Sequence, residues 1–181
     1  RMDIYEQIDN MRTFVKDADW AALEEEYEAL TRKLAGDKYA QKVSNLDFSS
    51  YIEGLEEALS EAVSLAKSVN AKAIHFEYNL DNDWESTFYV CSDYSPESEE
   101  DDDWASDYED DISGPSFPQA SAIYREKGFD TSEEACGVTL YLIARTLSAF
   151  GEILEKFPLD IAICAGFQDQ DPLMRLQEPK S

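Results

Sequence analysis

His75 is the single histidine in a chain of 181 residues, so any chemistry that needs an imidazole must be built around it. A nucleophilic device would pair it with a thiol such as Cys91 or Cys164, or with a serine and a carboxylate. Yet His75 alternates with Ile74 and Phe76 in an apolar stretch, the pattern of a histidine set into a sheet face. Asp81-Asn82-Asp83-Trp84-Glu85 places oxygen ligands at alternate positions, as a calcium loop begins, but Ser86 stands where the glycine belongs and Ser92 where the closing glutamate belongs. A hairpin turn accounts better for those residues. No histidine and cysteine spacing suits zinc, and the seven glycines form no phosphate-cradling run.

Carboxylates are abundant. There are 40 Asp and Glu against 15 Lys and Arg, for a formal charge of -25. Acid–base hydrolysis needs two of them facing across a cleft, one with a raised pKa. In such a composition pairs arise by chance, so a carboxylate-dependent hydrolase, with Trp84, Glu85 and Trp104 lining a sugar site, is the weaker expectation. A field this negative repels nucleic acid and anionic membranes and favours a basic protein surface.

Much of the charge has an address. No Lys or Arg occurs between Lys72 and Arg125, a span that carries 15 acidic residues. Its densest part is a loop expected over 92–119, in which Asp93, Glu97, Glu99, Glu100, Asp101, Asp102, Asp103, Asp107, Glu109, Asp110 and Asp111 surround Tyr94, Trp104 and Tyr108. A purely solvating tract is poor in aromatics. Interface hot spots favour them, and surrounding charge supplies steering. These fourteen residues are the expected partner-binding set; no catalytic, metal or cofactor set is expected.

The elements that must position this loop can be read from periodicity. Ile4, Ile8, Met11 and Val15 share one helix face, and Trp20, Leu23, Tyr27, Leu30 and Leu34 another, capped by Asp19 and stopped at Gly36. A capping box at Ser50 and Glu53 is expected to open a third helix ending at Asn70. The period then falls to two: Ala73–Leu80 and Trp84–Cys91 read as an antiparallel hairpin around Asp81-Asn82-Asp83. Residues 120–125 are expected as a short strand. Thr131-Ser132-Glu133-Glu134 opens a long core helix running to Lys156, Leu159–Ala165 reads as a buried strand, and the tail 168–181 as peripheral. The expectation is one α+β domain over 2–181, with N-terminal helices and a long C-terminal-half helix packed on a mainly antiparallel sheet. No apolar run has the roughly 20 residues of a membrane span. Arg1-Met2-Asp3-Ile4 lacks the pattern of a signal peptide. The three cysteines are odd in number and set among apolar residues, as in a reducing cytoplasm.

An acidic α+β chain with an aromatic-studded acidic segment resembles the bacterial immunity proteins of polymorphic and contact-dependent toxin systems. The nearest local carriers are Phe76-Glu77-Tyr78-Asn79-Leu80-Asp81 with Trp84, and Trp104-Ala105-Ser106-Asp107-Tyr108. The resemblance implies a cytoplasmic, non-catalytic inhibitor that blocks the basic active site of a cognate toxin domain. The principal rival is a DNA mimic, whose carboxylates would spread over an elongated surface at phosphate-like spacing.

Overall fold

The computed structural model describes residues 2–180. Four helices come first: α1 (Ile4–Lys16), α2 (Trp20–Ala35), α3 (Asp37–Ser44) and α4 (Ser49–Val69). A hairpin of β1 (Ala73–Tyr78) and β2 (Ser86–Cys91) follows, then β3 (Tyr108–Ser113), α5 (Pro118–Lys127), α6 (Glu133–Leu154), β4 (Ala162–Phe167) and β5 (Met174–Gln177). The strands form one sheet in the order β3-β2-β1-β4-β5. Only β1 and β4 run parallel; the other three pairings are antiparallel. The α+β expectation therefore holds.

Local chemistry explains most of the helix ends. Asp3 accepts from the Tyr5 N–H and Asp19 from the Ala22 N–H, while Ser132 accepts from the Ala135 N–H. Each satisfies a donor that the first turn leaves free. Asn70 closes α4 in the left-handed conformation, at φ 58°. The expected capping box at Ser50 does not form. The helix starts one residue earlier, and Asp47 accepts from the Ser49 N–H instead.

α6 is the centre of the core. Seventeen of its 22 residues are buried, against α2 above all and then α5, α1 and α4, while Phe150 packs on Phe76 and Phe88 of the sheet. By length and composition it could cross a bilayer, but most of that apolar surface is buried inside the protein. Gly151 lets Trp20 lie against the helix, since a Cβ there would collide with the indole ring.

Ile74, Phe76 and Tyr78 of β1 point into this core with Phe88, Val90, Ile163 and Phe167 from the neighbouring strands. The alternate residues face the other way. Ala73, Cys91, Ala162 and Cys164 carry a second, smaller apolar cluster on that opposite face, closed by Trp104 and Leu173.

Four further expectations need correction. Residues 120–125 lie in α5, not in a strand: Pro118 takes the first helical position, where its missing N–H costs nothing, and Gly128 ends the helix. Trp84 belongs to the hairpin turn rather than to β2. It has φ 55°, is fully buried, and its indole N–H donates to Thr146 Oγ1 at 3.0 Å. The acidic loop is not loop throughout, because Tyr108–Ser113 pairs with β2 as an edge strand. Nor is the C-terminal stretch peripheral: β5 pairs with β4, and Leu173 and Met174 are buried.

Candidate functional site

The second face of the sheet is where the acidic segment lies. β-pairing lines up Asp111, Tyr89, His75, Cys164 and Arg175 across five strands. One row along, Glu77 of β1 stands between Thr87 and Gly166. Gly166 matters for its lack of a side chain: a Cβ would meet Leu173 at 2.9 Å, so glycine lets the β4–β5 turn fold down over the sheet. Gln170 pins that turn by accepting from the Phe167 N–H at 3.0 Å.

The segment between β2 and β3 folds back over the other end of the same face. Trp104, 5% exposed, fills the second apolar cluster, and Tyr94 packs edge-on against it with ring centroids 4.9 Å apart. Arg175 is the polar hub. Its side chain is 3% exposed, pairs with Asp102 at 2.7 Å and donates to the Ser95 carbonyl at 3.0 Å. The second Asp102 oxygen accepts from the Leu173 N–H. From α1, Arg12 donates to Glu97 and to the carbonyls of Pro172 and Leu173. The segment is thus tied to α1, β4 and β5 as a folded wall.

Between this wall and the β4–β5 turn lies an open cleft of about 620 Å³. Glu100, Asp101, Asp102 and Asp103 form one side, Asp169 and Asp171 the other, and His75, Glu77 and Tyr89 lie between them, with Tyr108 also on the lining. Seven carboxylates line it and no lysine or arginine does. Burial pushes the Glu77 carboxyl above its ordinary pKa, and Asp169 adds to the shift, while a Tyr89 hydrogen bond opposes it. His75, 4% exposed, is driven down to about 4 by burial; the Cys164 backbone and Asp102 offset part of the shift. Its imidazole is therefore neutral, it lies parallel to the Tyr89 ring, and Nδ1 meets no partner at hydrogen-bond geometry.

No family model, curated protein or solved structure matches this chain. Its site is read from its own geometry.

The thiols beside His75 are held protonated. Burial pushes Cys91 up to about 12 and Cys164 higher still. Cys164 neighbours His75 in the β-register, but burial favours thiol and neutral imidazole, the reverse of the thiolate–imidazolium pair that nucleophilic catalysis uses. Among the described residues no three His, Cys, Asp or Glu side chains converge as a metal-ligand set.

The fourteen residues expected to bind a partner divide into three groups. Tyr94, Glu97, Asp102 and Trp104 hold the segment to the fold, Trp104 from a buried position that presents no surface. Glu100, Asp101, Asp103 and Tyr108 line the cleft, with Tyr108 46% exposed. Glu109, Asp110 and Asp111 lie exposed on β3, and Asp93, Glu99 and Asp107 are exposed on the segment itself. Sequence reasoning left out Glu77, Tyr89, Asp169 and Asp171. The i, i+2 pair His75 and Glu77, opposite the apolar face of β1, was the available signal for the first; nothing local marks Asp169 and Asp171, which reach the cleft through β5.

Proposed function

We propose that this chain is a non-catalytic acidic inhibitor, an immunity protein that binds the basic active-site surface of a cognate bacterial toxin in the cytoplasm. The observation that carries the reading is the cleft, a concavity lined by seven carboxylates and by no lysine or arginine, walled by a segment fixed in place by Trp104 and Arg175. Because that wall is already folded, binding orders little additional chain and keeps more of its interaction free energy. The opposed field accelerates encounter with a basic surface, and exposed Tyr108 supplies an aromatic contact at the rim. Seven carboxylates from three separate parts of the chain share one concavity, which supports an immunity protein over a DNA mimic. Buried thiols with no disulfide are in keeping with a reducing compartment.

The test is a pull-down at low and high salt, followed by binding of the purified basic partner to wild type and to a variant with Asp101, Asp103, Asp169 and Asp171 changed to Asn. The expected result is a loss of affinity of at least tenfold, with wild type but not the variant protecting cells that express the partner. Salt-insensitive binding that survives neutralisation would sink the reading.

One observation favours a second reading. Glu77, with its raised pKa beside Asp169 in a cleft, has the form of a general acid in a carboxylate-dependent hydrolase. Turnover of aryl glycosides or esters by wild type, abolished in Glu77→Gln, would replace the first reading with this one.

A further inference from the structure

We infer that residues 92–107 form a latch, which opens as one unit while the main core stays closed and takes one wall of the cleft with it. The closed latch is the ground state, and the cleft exists only while the latch is shut. This is a property of the fold whichever reading of the cleft holds.

The latch is joined to the rest of the molecule by side chains alone. Its backbone bonds, from the N–H groups of Glu99, Glu100, Ala105 and Asp107 to the carbonyls of Pro96, Glu97, Asp102 and Trp104, all close within the segment. Trp104 is its one buried residue; Tyr94, Ser95, Asp102 and Ala105 are half-buried and the rest are exposed. A short row of contacts to α1 and to the stretch around β5 ties it down. Arg175 donates to Asp102 and to the Ser95 carbonyl, the Leu173 N–H donates to Asp102, Arg12 to Glu97, and the Tyr94 hydroxyl to Glu178. The apolar cluster that Trp104 closes shares no residue with the main core. Lifting the latch therefore breaks up the smaller cluster and leaves the larger one intact, the condition for an opening short of global unfolding.

Two forces favour the open state. Residues 92–107 carry eight carboxylates and no base, and four of those acids share the cleft with Glu77, Asp169 and Asp171. Their mutual repulsion opposes the compact arrangement. Glu100 is also held at φ 51°, a left-handed backbone that a side chain disfavours.

The fold contains its own reporters of opening. Cys91 and Cys164 belong to the smaller cluster and are fully buried. They lie under opposite ends of the latch: Cys164 close to Tyr94 and Asp102, Cys91 close to Asp107. Cys136, on α6, is buried in the main core and serves as the control.

The experiment labels the full chain with N-ethylmaleimide in native buffer and at a series of low urea concentrations. Mass spectrometry follows each cysteine, and circular dichroism follows global unfolding. Cys91 and Cys164 should react at least about tenfold faster than Cys136, with one shared urea dependence well below that of global unfolding, because a partial opening exposes less surface. Asp102→Asn loosens the anchor beside Cys164 and leaves the packing over Cys91 in place. It should still speed both thiols by the same factor, about tenfold, and Cys136 by less than about twofold. Trp104→Ala should act on both thiols in the same way from the other end. Both substitutions lie in the latch, so the circular dichroism spectrum should stay that of wild type. Three results would each overturn the latch: wild-type Cys91 and Cys164 reacting only with the urea dependence of global unfolding, Asp102→Asn speeding one thiol alone, or Cys136 accelerating in step with the other two.

Discussion

His75 is neutral in the fold because its ring has almost no contact with water, and this makes stability depend on pH in a defined window. Its folded pKa of about 4 lies below the ordinary 6.5. Above pH 6.5 both states are neutral; below it the unfolded chain takes up a proton that the folded chain refuses. Stability is therefore lost as pH falls from 6.5 to 4 and the loss then levels off, a total of about 3 kcal/mol for this group. Urea unfolding of wild type and His75→Phe across that range should show their difference changing by about this amount, and a constant difference would refute it. Trp104 makes a second prediction at this scale. Its indole is buried under the acidic segment, so Trp104→Ala should cost about 3 kcal/mol through lost burial and the cavity left behind. Residues 92–107 should then be cut by protease well before the core.

The elements show how packing overrides local preference. β3 reads Tyr-Glu-Asp-Asp-Ile-Ser, a poor strand by composition, and it is a strand because β2 offers it a hydrogen-bonding edge. Its carboxylates guard the outer edge of the sheet against pairing with another chain. α5 shows the converse: residues 120–125 alone suggest a short strand, while Pro118 and Gly128, the residues that mark the helix ends, lie just outside that window. α3 has no sequence signal of its own, because Gly36 both ends α2 and immediately precedes α3. α6 was legible because its caps and apolar circumference agree. Two glycines in it provide a paired test. Gly151→Ala drives a methyl into the Trp20 ring and should cost about 2 kcal/mol, as overpacking does. At Gly137 the nearest atoms are at 3.4 Å, ordinary contact, so Gly137→Ala should be neutral or stabilising by up to about 1 kcal/mol through helix propensity. Thermal melts of the two variants distinguish them; similar melting temperatures would contradict the packing argument.

For the molecule as a whole, a charge of -25 sets two salt dependences of opposite sign. Self-repulsion opposes the compact state, so raising NaCl from 20 to 500 mM, which shortens the screening length from roughly 20 to 4 Å, should raise the melting temperature. The same screening should weaken binding of any basic partner. A melting temperature that falls with salt would mean that the ion pairs, such as Arg175 with Asp102, outweigh the repulsion. Charge, aromatic content, the apolar periodicities and the hairpin are properties of neighbouring residues, so the acidic character, the α+β class and α1, α2, α4 and α6 could be read from the chain alone. The cleft could not. It joins His75 and Glu77 of β1, Tyr89 of β2, the Glu100–Asp103 wall and the Asp169–Asp171 turn, which lie up to 96 positions apart. Only the parallel pairing of β1 with β4, and the folding of Trp104 and Arg175 across the same sheet face, bring them to one place. Such contacts depend on the strand order of the whole sheet, which no local pattern specifies.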